Sequence, residues 1–190
     1  MPPMTGERLA VVLIGHGSPA TDCPPQLVGE LMSLEWRASP SSAAAGANPG
    51  AAGHNHRLEG RAAELDEQIR AWPRRADNDP YKTGLERVAR ALRPLLPTDL
   101  FAIGYNEFCQ PSIAKAVADV IQRGATRILV IPSMLTPGGV HSEHDIPQAL
   151  AEIRRANPSV TIEYLWPFDL QEVAALLAAH VKRAAAKLPT

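Results

Sequence analysis

The sequence predicts an α/β fold, a four-stranded parallel sheet with helices on both faces. Three observations predict it. Short apolar runs such as Leu9–Ile14 and Arg127–Ile131 are rich in β-branched residues and read as strands buried on both sides. They alternate along the chain with longer segments whose apolar residues recur at helical spacing. The residues able to do chemistry, His16, Glu107, His141, Glu143 and His144, all fall just after strand ends. In an open parallel sheet that edge is where ligands bind.

With 190 residues, of which 45% are hydrophobic, a single domain over 1–190 with a real core is expected. The formal net charge of -1 gives no global field for nucleic acid or a membrane surface, so neither is expected as a partner. Cys23 and Cys109 have no metal-ribbon or redox spacing, which fits a reducing, cytoplasmic setting. The run Leu9–Ile14 is too short for a signal core or a membrane span.

Taken in order, the first strand, Leu9–Ile14, ends in Gly15-His16-Gly17-Ser18-Pro19, where glycines permit a tight turn and close approach by a ligand. His16 is then either a ligand at a strand tip or a turn residue bonded to backbone. Leu27–Trp36 is helical, with Leu27, Leu31 and Leu34 on one side. Ala38–Gly53 is nearly all small and polar residues and reads as flexible. It runs into His54-Asn55-His56, a metal-binding spacing that on such a segment is more often solvated. Leu58–Trp72 is a charged helix with Leu58, Ala62, Leu65 and Ile69 in register, broken by Pro73–Pro80.

A helix over Thr83–Leu96 follows, with Leu85, Val88, Leu92 and Leu95 as its apolar stripe. Arg87, Arg90 and Arg93 lie mostly off the stripe and read as a solvated face. Asp99–Tyr105 is the second strand, and Pro111-Ser112 opens a helix to about Gln122, with Gly124 suited to its C′ position. The third strand, Arg127–Ile131, leaves the sheet at Pro132 in a loop carrying His141, Glu143 and His144. Asp145 before Ile146-Pro147 reads as the N-cap of a helix to Ala156. Val160–Leu165 is the fourth strand, and Gln171–Lys187 a closing helix with Val173, Leu176, Leu177 and Val181 inward.

Two imidazoles suit borderline divalent ions such as Co²⁺, Ni²⁺, Fe²⁺ or Zn²⁺. With Glu107 or Glu143 as a third ligand, positions stay open, as metal delivery or metal chemistry requires. Histidine also titrates near neutrality and can accept protons. His144 reads sooner as a solvent-facing residue at a helix start than as a ligand, and Glu107 equally as an acceptor for a backbone N–H.

These motifs resemble the class II chelatases of cobalamin and siroheme synthesis, the short sirohydrochlorin chelatases of the CbiX type. The resemblance rests on Gly15-His16-Gly17-Ser18, on Tyr105-Asn106-Glu107 followed by Pro111-Ser112-Ile113, and on Gly139-Val140-His141-Ser142-Glu143-His144-Asp145-Ile146-Pro147. It implies a chelatase-like three-layer fold and ATP-independent insertion of Co²⁺, Fe²⁺ or Ni²⁺ into sirohydrochlorin or a close tetrapyrrole. The metal is then a substrate, and no organic cofactor is needed. The family's metal-handling histidines fall on His16 and His141, with Glu107 as a third catalytic group for ligation or proton removal. The substrate carries many carboxylates, so Arg74, Arg75 and Lys82 are expected to rim its pocket together with Ser18. The chain departs from the short pattern over about 38–78, an inserted segment that springs from the His16 loop and is a candidate lid. The family's larger members carry two such modules in one chain, so a homodimer is expected. A histidine phosphatase-like enzyme is a second reading, but Gly15 stands where that class has an arginine. A non-enzymatic metal carrier or sensor is the third, and tetrapyrrole binding separates it from a chelatase.

Overall fold

A computed structural model of the chain describes residues 6–38 and 51–187, without the side chains of 38 and 51–57. Four strands form one sheet: β1 (Leu9–Gly15), β2 (Phe101–Tyr105), β3 (Arg127–Pro132) and β4 (Thr161–Tyr164). Their order is β2-β1-β3-β4 and every neighbouring pair is parallel, with Val11 opposite Phe101, Leu9 opposite Arg127, and Arg127 opposite Thr161. The described helices are α1 (Pro25–Ala38), α2 (Ala51–Arg70), α3 (Pro80–Leu92), α4 (Ile113–Gln122), α5 (Ile146–Ala156) and α6 (Leu170–Ala185). None of them is long and apolar enough to cross a membrane.

The strand pleat sends alternate residues of β1 to opposite faces. Ala10, Val12 and Ile14 join Ile128 and Val130 against Ile113, Val117 and Val120 of α4 and Ile146, Leu150 and Ile153 of α5. Leu13 packs on the other face with Leu85 and Ala89 of α3, Tyr105 and Cys109. Each fully buried aliphatic side chain contributes about 1.5–3 kcal/mol, so the central strand anchors both layers. Leu31 and Leu34 of α1 meet Leu65 and Ile69 of α2, with Ala20, Cys23 and Phe108 beneath them. This third cluster ties the α1–α2 pair to the loops after β1 and β2.

The order of the strands positions the site. The chain leaves β1 toward β2 on one side and leaves β3 toward β4 on the other. The crevice between the carboxyl ends of β1 and β3 is therefore the topological switch point. His16 follows β1 and His141 follows β3.

Several expectations need correction. Ala51–Gly53, expected in a flexible run, already lie in α2, whereas 39–50 are outside the described residues. The backbone of His54 and His56 is helical, and their side chains lie outside the described part. Helix α3 begins at Pro80, not Thr83: proline is harmless at the first helical position, and the Asp79 carboxylate accepts from the Lys82 amide at 2.8 Å. Its inward stripe is Leu85 and Ala89, while Val88 is 58% and Leu95 80% exposed. Most of the stripe expected to face inward on α6 is out: Leu176, Leu177 and Val181 are exposed, Val173 is half-buried, and α6 buries no residue fully. Gly124 takes the left-handed conformation expected of it, with φ +93°.

His141–Asp145 form a single π-helical turn running straight into α5, not a loop. Asp145 is not an N-cap. Its backbone is helical at φ -68°, ψ -49°, and its side chain makes no capping bond.

Candidate metal centre

The loops after β1 and β2 and the helical turn before α5 bring His16, Glu107 and His141 together, with one ligand atom from each lying within 4.8 Å of the others. His16 Nε2 is 3.9 Å from Glu107 Oε2, and His141 Nδ1 is 3.6 Å from Glu107 Oε1. The two imidazoles meet edge to face with ring centroids 4.4 Å apart. All three side chains are part-exposed, so the group is open to a ligand from solvent.

Local backbone bonding explains this placement. The Glu107 amide donates to the His16 carbonyl at 2.8 Å and the Asn106 amide to the Gly15 carbonyl at 2.9 Å. The loop after β2 is thereby stitched onto the loop after β1. Gly17 makes the approach possible: its φ is +95°, and a Cβ there would collide with the Glu107 carbonyl. Gly15 packs against Leu85 and the Tyr105 ring, leaving no room for a side chain.

Hydrogen bonds also set the tautomers. His16 Nδ1 lies 2.6 Å from the Gly17 carbonyl, which can only accept, so Nδ1 carries the proton and Nε2 the lone pair. His141 Nδ1 lies 2.6 Å from Asp145 Oδ2, and the Asn106 Nδ2, 3.0 Å away, is itself a donor that can bond this nitrogen only when Nδ1 carries no proton. The Asp145 carboxylate makes that nitrogen a donor as well. An imidazole held through one nitrogen by a carboxylate, with the other free, is the usual dress of a metal-binding histidine. The Tyr164 hydroxyl donates to the Ser142 carbonyl at 3.1 Å and fixes the turn that carries His141. Burial pushes the Tyr164 phenol up to about 12, so it stays a donor at neutral pH.

The other expected residues stand elsewhere. The side chain of Arg74 is 9% exposed, and its guanidinium donates to Asp79 Oδ2 at 2.7 Å, to the Ser18 carbonyl at 2.6 Å, and to the carbonyls of Ile69 and Phe108. Ser18 thus meets the scaffold through its backbone. Arg75 is on the surface, paired with Asp22 and Asp77. Lys82 Nζ lies 5.2 Å from the Tyr105 ring centroid and donates to the Gln110 carbonyl at 3.0 Å. Glu143 accepts from the Gly138 amide at 3.0 Å, away from the three-residue group, and His144 is exposed.

Sequence reasoning missed a supporting layer. The Tyr81 hydroxyl accepts from the His16 amide at 2.7 Å. Arg70 of α2 donates to the carbonyls of Asn106 at 2.7 Å and Cys109 at 2.9 Å. Phe108, between them, has φ 54°, a conformation costing about 1–3 kcal/mol that persists only where surroundings impose it. Arg70 and Arg74 supply that imposition. Only Asp145 had a readable signal, since four residues from His141 is helical spacing.

A cavity of about 340 Å³ adjoins the centre, lined by Glu107 and Asp145 together with Leu31 and Glu35 of α1 and Asp66 and Arg70 of α2. Burial, followed by the Glu107 carboxylate, raises the Glu35 carboxyl above its ordinary value.

The sequence profile of the CbiX family matches residues 76–184, which include Glu107 and His141 but not His16. A sirohydrochlorin cobaltochelatase of Methanocaldococcus jannaschii is 43% identical over 75 residues, 39% of this chain and 52% of that protein. A sirohydrochlorin ferrochelatase of Priestia megaterium is 33% identical over 68 residues, 36% of this chain and 25% of that protein. The chain thus spans about half, or less, of the curated relatives it matches. Among solved structures, a Marinobacter aquaeolei VT8 protein assigned to cobalamin-biosynthesis CbiX aligns over 95% of this chain and 98% of its own, with TM-score 0.52 and 15% identity. SirB from Bacillus subtilis with Fe³⁺ aligns over 96% of this chain and 48% of its own, with TM-score 0.50 and 17% identity. These two likenesses bear on the fold.

Proposed function

The chain belongs to the CbiX family, and on that premise we propose that it inserts a divalent metal ion into sirohydrochlorin or a close tetrapyrrole without ATP. The observation that carries the reading is the convergence of His16, Glu107 and His141 at the switch point of the sheet. The metal is substrate. Insertion must strip its water, present it to the ring, and release two pyrrole N–H protons for each ion taken up. His16 and His141 hold the ion through neutral nitrogens and leave positions open for exchange. Glu107 faces both rings and is the third ligand or the first proton acceptor. Asp145 positions His141.

Co²⁺ is our first choice of metal, with Fe²⁺ and Ni²⁺ as alternatives the same donors accept. Lys82 and Arg75 are proposed to meet peripheral carboxylates of the ring, with Arg74 and Ser18 shaping that rim from behind. The 38–78 segment is proposed as a lid within the single domain, because α2, which lies in it, supplies Asp66 and Arg70 to the cavity beside Glu107. A cytoplasmic homodimer completes the proposal: one module supplies one wall of a cleft, and the exposed stripe of α6 offers apolar surface.

The test is an anaerobic absorbance assay with sirohydrochlorin and each of Co²⁺, Fe²⁺ and Ni²⁺, on protein whose mass is checked by sedimentation. The chain should accelerate insertion above the spontaneous rate, and His16→Ala and His141→Ala should each abolish the gain. A rate equal to buffer with every metal would sink the enzyme reading. A monomer at assay concentration would sink the dimer alone.

A further inference from the structure

A second cavity, of about 390 Å³, lies between α3 and β2, the edge strand of the sheet. Its polar lining is Tyr105, Lys82, Glu86, Arg90 and Arg93, and its apolar wall includes Phe101 and Ile103. Tyr105 is 1% exposed, yet its hydroxyl is buried with no hydrogen-bond partner among the described residues. Buried hydroxyls nearly always have a partner, so an orphan on a residue that lines a cavity points to a partner admitted from that cavity. Lys82 pairs with Glu86 at 3.7 Å, while Arg90 and Arg93 have no carboxylate partner among the described residues. Three cations against one carboxylate leave the cavity net positive. The arginines that read as a solvated helix face thus converge with a buried phenol on a half-apolar pocket.

We propose that this cavity binds the carboxylate of an organic acid, with Tyr105 donating to one oxygen and Arg90 and Lys82 neutralising the charge. A planar guanidinium beside a hydroxyl matches a carboxylate, and the apolar wall favours an organic body over an inorganic anion. The cavity touches the metal centre through two neighbours in sequence: Tyr81, next to Lys82, holds the His16 amide, and Tyr105 precedes Asn106 and Glu107. The carboxylate has two sources, a free small acid or a peripheral arm of the macrocycle. Only the second rests on the tetrapyrrole reading.

Calorimetric titration with benzoate, and with benzamide as its neutral isostere, tests the site without any chelatase assay. Wild type should bind benzoate saturably and ignore benzamide, and Tyr105→Phe and Arg90→Gln should each weaken binding about tenfold, the size of one charge-assisted hydrogen bond. Tyr105→Phe removes only an unpartnered hydroxyl, so it should melt no lower than wild type without benzoate. Arg90→Gln, at an exposed position, keeps the test open if it does. No benzoate binding, equal binding of benzamide, or full affinity in both variants overturns the proposal. Repeating the titration on protein saturated with sirohydrochlorin separates the sources: lost benzoate heat, with a raised KM at unchanged kcat for Tyr105→Phe, assigns the macrocycle arm, and undiminished heat assigns a free acid.

Discussion

His16 and His141 were readable as a pair because each follows a strand and a glycine-marked turn, and the sheet then brings the two turns together. What the residue types could not convey is which partner each ring nitrogen takes. An aspartate before Ile-Pro satisfies the N-cap pattern and the His141 (i, i+4) pattern equally well, and only the continuous helical backbone from His141 into α5 decides for the second. Asp145→Asn is the sharpest single-residue check. It preserves shape but removes the charge that holds His141 Nδ1–H at 2.6 Å. Loss of such a partner should weaken Co²⁺ affinity or slow insertion roughly 10- to 100-fold, with little change in melting temperature. Co²⁺ titration and the insertion rate read it directly. Unchanged values for both would mean that Asn106 alone orients the ring.

Among the elements, helix existence was legible and helix facing was not. Of the expected α3 stripe, Leu85 is buried and Leu92 partly so while Val88 and Leu95 are exposed, because periodicity locates a stripe but not which of its members the sheet covers. The sheet took Leu85 and Ala89. Charged side chains were harder still. Arg74 and Arg75 are adjacent and alike in sequence, yet one is sunk between α2, α3 and two loops while the other pairs on the surface. Breaking a buried pair strands the Asp79 carboxylate, which is 1% exposed, and should cost about 3–5 kcal/mol in Arg74→Met. Arg75→Met loses only exposed ion pairs and should cost less than about 1 kcal/mol. Urea unfolding of the two variants measures the difference. Equal losses would show that the loops after β1 and β2 do not depend on the Arg74 strut.

For the whole molecule, alternation of strands and helices conveyed a parallel sheet but not its order, because nothing local distinguishes β2-β1-β3-β4 from a sequential sheet. The order matters, since it alone sets the ends of β1 and β3 side by side with β2 flanking. The metal centre is not built on one element: two of its donors come from the loops after β1 and β2 and the third from the helical turn that opens α5. An ion bound there must therefore stabilise the folded chain and not the unfolded one, in which the donors are far apart. At a free ion concentration 100 times its dissociation constant, linkage adds about 2.7 kcal/mol. For a chain of this size, each kcal/mol raises the melting temperature by about 2–4 °C, so saturating Co²⁺ should raise it by about 5–11 °C. His16→Ala with His141→Ala in one chain should abolish that rise while melting near the metal-free wild type, both side chains being part-exposed. A rise that survives the double substitution would move the principal metal site away from the switch point, and with it the chemistry proposed there.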